Sequence, residues 1–387
     1  MPEMRYRLMT PGPTPVPAEV LAAMSAPIVH HRTPAFRATL ARLLARLKEV
    51  YRTDDEILLF TSSGTGGMES AVANLCSPGD RVLVASAGNF GERWAAIAKA
   101  YGCDLVHLRY SWGETPTADD VASTLAERGG ATAVLLTHCE TSTGVVSDIR
   151  AIAERVGEST ALTVVDAISS LGAVPLETDA WGLDVVVAGS QKALMTPPGL
   201  ATVAASEGAL EAARTNASPR FYLDWGRTFD AQNEDPPVNP FTPAISLVLG
   251  LDVAVSLLLD EGLEAVFDRH IRLGRACRAG AKAMGLELFS PDEDRSAVVT
   301  AIRMPPEIDA GEVIATIGER HGITLEGGRA ELVGKIVRIG HIGYMDVFDV
   351  ATALAALELV LGDLGADIER GVAVTAALDA YAEPVRV

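Results

Sequence analysis

Three stretches of this 387-residue chain put reactive side chains where chemistry could use them. The first, SSGTGGMESAVANL at 62–75, follows an apolar run around Leu58 and opens into a helical pattern. Its small residues, Thr65, Gly66 and Gly67 among them, let the backbone curl until several N–H groups converge, and a helix N-terminus adds about half a positive charge. That arrangement suits an anion, although a tight strand-to-helix turn uses the same glycines with no ligand. It is neither a dinucleotide fingerprint nor a Walker A loop, because Met68 and Glu69 follow Gly67 and no Gly-Lys-Ser or Gly-Lys-Thr occurs. The second is Asp166, which ends the apolar run LTVVD, at the edge where open α/β sheets present ligand groups; capping the next segment is its structural alternative. The third is GSQKALMTPPGL, 189–200, directly after DVVVA. Lys192 there is oddly placed for a solvated charge and well placed for a Schiff base if burial lowers its pKa; taken alone, an ordinary surface lysine is the alternative.

Together the three are the parts that pyridoxal phosphate needs: a cradle for its phosphate, a carboxylate that keeps the pyridine nitrogen protonated, and an amine that joins its aldehyde.

Positioning these parts requires a framework, and the apolar patterning supplies one. From Glu56 onward, runs at 57–60, 81–86, 104–108, 132–138, 161–167, 184–190 and 200–206 have the length and branched-residue content of strands covered on both faces. Helical patterns lie between several of them, at 91–101, 118–127 and 148–155, and an earlier helix is capped by Thr33 with Pro34 at its first position. This alternation predicts a mostly parallel α/β sheet. A polar, Pro-rich loop is expected at 229–243, then long helices over 244–284. A smaller unit follows, reading strand (296–304), helix (310–321), strand (335–343) and helix (347–364). The expected organisation is an N-terminal arm at 1–20, a large α/β domain at 21–265, and a smaller α+β domain at 266–387. The arm should pack with the small domain or a dimer interface.

Composition narrows the function classes. Hydrophobic residues make up 48% and charged residues 21%, as in soluble globular chains. Against 32 Lys and Arg stand 51 Asp and Glu, a net charge of −19 that repels phosphate backbones and anionic lipid, so nucleic acid and membrane are not expected partners. Cys76, Cys103, Cys139 and Cys277 form no C-x-x-C and read as buried thiols of a reducing compartment. With no apolar segment behind Arg5 and Arg7 and no run approaching 18 apolar residues, a cytoplasmic protein is expected.

With these motifs assembled, the sequence resembles the class V aminotransferases of fold type I, and within them the alanine or serine:glyoxylate (or pyruvate) group. The resemblance runs through LMTPGPTPVP, SSGTGGMESAVANLCSPGD, GNFGERW, THCETSTGV, VVDAISSLG, GSQKALMTPPGL and VRIGHIGYMD. It implies pyridoxal 5′-phosphate as cofactor, with Lys192 as the Schiff-base lysine and Asp166 as the partner of the ring nitrogen. By the same resemblance Thr65, Gly66, Gly67 and Gln191 bind the phosphate, Phe90 stacks on the ring, and Thr141 lies near the phenolic oxygen. Arg338 would clamp the substrate carboxylate, and His31, which stands where ureidoglycine-transaminating relatives carry glutamine, is a further substrate-side candidate. Thr242 matches a threonine that reaches the neighbouring subunit's phosphate, which implies a homodimer with shared active sites. Asn239 stands where mammalian relatives carry tyrosine. Transamination from alanine or serine to glyoxylate or pyruvate is the expected activity. The alternatives are phosphoserine transamination, which needs a second anion site, and a catalytically silent subunit that keeps the fold.

Overall fold

In the computed structural model, which describes residues 5–290 and 296–384, the seven apolar runs become one seven-stranded sheet. The strands are β1 (Glu56–Phe60), β2 (Arg81–Ser86), β3 (Asp104–Arg109), β4 (Ala133–Thr137), β5 (Leu162–Asp166), β6 (Val185–Gly189) and β7 (Ala201–Ala205). Their order is β1-β7-β6-β5-β4-β2-β3, with β7 antiparallel to both its neighbours and every other pairing parallel. The pleat sends alternate side chains to opposite faces, so Val134 and Leu136 enter one core while Ala133 and Leu135 enter another. Both faces are thereby covered, which is why the strands read as continuous apolar runs.

Two helices on the second face matter for function: α1 (Gly64–Leu75), which follows β1, and α2 (Asn89–Ala100), which follows β2. A Cβ on Gly67 would lie 2.7 Å from Val187 Cγ1 and 3.2 Å from the Ala201 methyl, so this glycine lets α1 sit directly on β6 and β7. The Cα of residue 67 therefore lies against the sheet, and this packing by itself asks for a glycine.

Two long helices follow, α3 (Ile245–Glu261) and α4 (Leu263–Ala283), joined at Gly262 with φ +86°. The hydrophobic core changes along α4: Val266 packs with the first core, whereas Leu273, Ala276 and Cys277 pack with a second. That second core covers an antiparallel sheet of β8 (Val299–Arg303), β9 (Glu326–Gly327) and β10 (Ile336–Gly340), in the order β8-β10-β9. Helices α5 (Ala310–His321), α6 (Val347–Asp363) and α7 (Val372–Ala382) enclose it. Residues 7–9 belong here too. Arg7–Leu8 pairs in parallel with Ile323–Thr324, Met9 is buried in the second core, and Gly340 N donates to Met9 O at 2.8 Å.

Some expectations need correcting. The loop expected from Phe229 begins later, because Trp225–Gln232 is helical, with the Asp224 side chain accepting from Arg227 N as its cap. The eight-residue helix shows too few turns for a clear periodic pattern. Cys103 is partly exposed, unlike the other three cysteines, because it lies in the turn that leads into β3.

Gly67→Ala should lower unfolding free energy by about 1–3 kcal/mol, the usual cost of forcing a methyl into a packed contact. Urea denaturation measures it, and an unchanged midpoint would show that α1 can lift off the sheet without strain.

Candidate active site

The carboxyl ends of β1, β5 and β6 deliver three of the segments singled out in the sequence to one corner. At the start of α1, Gly66 N and Gly67 N donate to Ser63 O at 2.9 and 3.2 Å, and the Ser63 side chain makes no capping bond. The N–H groups of Gly64 and Thr65 precede the first intrahelical acceptor and point out of the helix end. A Cβ on Gly66 would collide with Ser62 Oγ, so any larger residue there must turn the Ser62 hydroxyl aside. Ile168, two residues past Asp166, packs against Gly64, and Gly189 lies against both Gly64 Cα and Gln191 Oε1. Gln191 Oε1 is buried with no hydrogen-bond partner.

Asp166 is buried at the end of β5, where Oδ1 accepts from Ile168 N at 2.9 Å. Burial pushes its carboxyl up to about 7, against the Ile168 N–H and the positive charges of Arg93 and Lys192. Lys192 is buried too, and its Nζ donates to Pro11 O at 2.6 Å. Burial brings the amine down to about 8, with the Asp166 charge opposing the shift. The acceptor comes from the N-terminal segment, which crosses from the second core to lie over this corner. Gly12 there has φ +136°, and a Cβ on it would collide with the Lys192 side chain, so glycine is required on both counts. Thr14 Oγ1 donates to Lys192 O at 3.0 Å and fixes the crossing.

Phe90 occupies the first turn of α2, and a buried carboxylate holds that turn in place. Glu140 Oε2 accepts from Phe90 N at 2.8 Å and Gly91 N at 3.1 Å, and Oε1 accepts from Ser142 N at 3.2 Å. Ser142 Oγ in turn accepts from Asn89 N at 3.0 Å. Burial raises the Glu140 carboxyl, and these donors oppose the rise. Sequence reasoning singled out Thr141 but missed its neighbour Glu140, whose signal was a charged residue in an otherwise neutral strand-end segment. It also missed Arg93, one turn after Phe90, whose guanidinium lies 4.7 Å from the Phe90 ring centroid while Nη1 donates to Thr65 Oγ1 at 2.8 Å.

Arg338 reaches the site from β10, buried among small-domain residues. Nε donates to Gly327 O at 2.8 Å, Nη1 to Thr141 O at 2.8 Å, and Nη2 to Glu326 Oε2 at 3.1 Å. Burial lowers its pKa to about 10, leaving it charged at neutral pH. Of five N–H groups these bonds take three, so each Nη retains one N–H.

Two candidates lie apart. Thr242 is exposed, and Asn239 nearby is buried with Oδ1 unpartnered; their loop meets the base of the cradle where Ala244 N donates to Thr61 Oγ1 at 2.9 Å. His31 stacks on His30 with ring centroids 4.5 Å apart, and burial lowers its pKa. Among the described residues, no hydrogen bond or ion pair joins His31 or Thr242 to Lys192, Asp166 or Arg338.

The residues present fit pyridoxal phosphate. Two outward N–H groups and an amide with an unpartnered oxygen suit a phosphate, since the amide can turn its nitrogen toward an acceptor. A buried carboxyl near 7 gains from a cationic ring nitrogen, and a buried amine near 8 is in large part neutral and nucleophilic at mildly alkaline pH.

The profile of the aminotransferase class-V family matches residues 7–351. The chain is 42% identical to the soluble hydrogenase small subunit of a Synechococcus sp., over 92% of this chain and 93% of that one. Identity is 38% to the L-aspartate–glyoxylate aminotransferase of Paracoccus denitrificans, over 97% and 96% of the two chains. It is 36% to the serine–glyoxylate aminotransferase of Arabidopsis thaliana, over 96% and 94%. The crystal structure of ureidoglycine–glyoxylate aminotransferase from Bacillus subtilis superposes with a TM-score of 0.94 at 33% identity, covering 99% of this chain and all of that one.

The two opposed shifts make a pH prediction. Asp166 rises from an ordinary 3.8 to about 7, so the folded chain holds this proton more tightly than the unfolded chain does. Its contribution to stability is best below pH 4 and worsens as pH climbs through 7. Lys192 falls from 10.5 to about 8, so its cost is full below 8 and relieved as pH rises toward 10.5. Cofactor-free Asp166→Asn should therefore melt like the unaltered protein near pH 4 and increasingly above it as pH approaches 7.5. A melting-temperature difference that stays constant across this range would contradict the assignment.

Proposed function

The chain belongs to the class-V aminotransferase family, and from that premise we propose that it is a pyridoxal-phosphate transaminase. It moves the amino group of a small L-amino acid, alanine or serine, to glyoxylate or pyruvate. The observation that carries this reading is the meeting of a buried amine, a buried carboxyl and an uncapped helix start at one sheet edge. The serine- and aspartate-using relatives, both named for glyoxylate as acceptor, support the acceptor class.

Pyridoxal phosphate, when bound, supplies an electron-withdrawing ring that acidifies the Cα–H of an attached amino acid. The remaining work belongs to the protein. Lys192 Nζ takes the proton from the substrate Cα and later returns a proton on the way to the keto acid, and an amine near 8 can do both. Asp166 holds the proton on the ring nitrogen. Phe90 provides a flat platform beside that ring, and Gln191, Thr65 and Gly66 hold the phosphate. Thr141, its carbonyl tied to Arg338, would face the phenolic oxygen of the bound cofactor. Arg338 binds the α-carboxylate through its two remaining N–H groups, from a guanidinium already fixed on three sides. That clamp serves amino acid and keto acid alike, because both carry the carboxylate.

The molecule works as a cytoplasmic homodimer with shared sites. Exposed Phe221 and Tyr222 pack with Phe241 at ring-centroid distances of 5.6 and 5.2 Å, an aromatic patch beside Thr242 that a second copy would cover. No described helix is long and apolar enough to cross a membrane.

Absorbance changes on mixing the holoenzyme with a panel of amino acids test the activity. Alanine or serine should convert the cofactor to its amino form, and phosphoserine should not. A protein that binds no cofactor would instead be the silent subunit. Lys192→Ala should bind cofactor without borohydride-trappable linkage and lose nearly all turnover; a reduced pyridoxyl group found on another lysine would overturn the assignment. Arg338→Lys keeps the charge and loses the fork. At about 1.5–3 kcal/mol per charge-assisted bond, kcat/KM should fall roughly ten- to a hundredfold in both half-reactions. An equal melting temperature would separate this from lost structural bonds, and unaltered kinetics would eliminate the clamp.

A further inference from the structure

We propose that Arg93 is the cation of the phosphate cradle, a binding residue for the phosphoryl group of the cofactor. This rests on the reading of the site as one for pyridoxal phosphate. The rest of the cradle, Ser62, Gly64, Thr65, Gly66 and Gln191, is neutral. Two buried carboxyl groups, Glu140 and Asp166, lie beside it, each close enough for the Glu140 charge to disfavour ionisation of Asp166. A phosphate monoester brings about 1.5 to 2 further negative charges at neutral pH. Neutral donors and a helix end would have to hold that dianion against two carboxyl groups in a poorly solvated corner, so a full positive charge is needed nearby.

Four cations are candidates among the described residues. Arg329 is half-exposed and lies 3.9 Å from Glu326. Lys192 Nζ points to Pro11 O and must be free for carbonyl chemistry. Arg338 is held by Thr141 O of the large domain and by Gly327 O and Glu326 of the small one, and its remaining N–H groups are assigned to the substrate carboxylate. Arg93 is the one bonded to the cradle itself. On α2 it lies one turn beyond Phe90, so both side chains leave the same helix face. Its guanidinium rests over the Phe90 ring at 4.7 Å, and Nη1 reaches across to Thr65 Oγ1, the hydroxyl in the first turn of α1, at 2.8 Å. The flat ring beneath fixes the fork's orientation, and its other N–H groups are of the type that pairs bidentately with phosphate oxygens. Its positive charge also acts on Asp166, favouring the ionised form that a ring nitrogen needs. One residue thus links the stacking platform, the phosphate hydroxyl and the carboxylate.

The test compares two aldehydes that differ only in the phosphate. Full-length protein stripped of cofactor is titrated with pyridoxal phosphate and with pyridoxal, followed by visible absorbance, for the unaltered chain and for Arg93→Met, Arg93→Gln and Arg93→Lys. Loss of a charge-assisted bond should weaken pyridoxal phosphate roughly tenfold or more in the Met and Gln variants. Pyridoxal should change less than about threefold, and Lys should recover part of the loss because it keeps the charge without the fork. Added salt should narrow the gap between unaltered and Met proteins for the phosphorylated aldehyde alone. Equal weakening of both aldehydes would make Arg93 a support for Phe90 and overturn the proposal, as would unchanged binding of both. Should Met and Gln fail to fold, the Lys variant decides: binding of pyridoxal phosphate and pyridoxal weakened to the same degree overturns it. If the unaltered protein binds neither aldehyde, the cofactor reading itself has failed, an outcome distinct from these.

Discussion

A primary amine kept away from water at the end of β6 is the constraint that organises this molecule. Taking an ammonium group out of solvent is costly unless it finds an acceptor or loses its proton, and Lys192 does something of each. Its acceptor, the carbonyl of Pro11, is supplied from far away in sequence, by a segment that the second core anchors through Met9. The large sheet presents the lysine, and the small sheet, by holding the start of the chain, shuts water out above it. Gly12 is required because the backbone must pass directly over the side chain it covers.

The buried carboxyl groups answer the same constraint from the opposite sign. Asp166 lies deep enough that ionisation is resisted until about pH 7, yet close enough to Lys192 that the two charges favour one another. Glu140 is equally buried but is spent differently, its oxygens taken by backbone N–H groups of α2 and by Ser142. A carboxylate at a helix start also meets the positive end of the helix dipole, so Glu140 stabilises the turn that carries Phe90. Two similar groups thus divide into one that is structurally satisfied and one that awaits a partner.

Much of this was legible in the sequence. Six of the seven strands could be read because they are buried on both faces, the edge strand β3 being only half-buried; Asp166 could be read because it ends such a run and Lys192 because it follows one closely. Arg338 was visible only through family likeness, since nothing local in KIVRIG distinguishes a buried guanidinium from a surface one. Arg93 and Glu140 escaped because their roles depend on contacts between segments: Arg93 bonds a residue 28 positions earlier, and Glu140 bonds backbone groups about 50 positions earlier. At Gly67 turn chemistry and close packing ask for the same residue, and the packing part depends on Val187, a contact that sequence cannot show.

The parallel pairing of Arg7–Leu8 with Ile323–Thr324 has a consequence for biosynthesis. Residues 7 and 8 have their partners more than three hundred positions later in the chain, so they must stay unpaired while the whole large sheet is made. Non-local pairing of this kind is slow, and it closes only after the segments it joins have formed. The nascent chain can therefore complete its seven-stranded sheet with Lys192 still open to water. The amine acquires its cover, and with it its shifted basicity, only once the strands that hold residues 7–9 have been made.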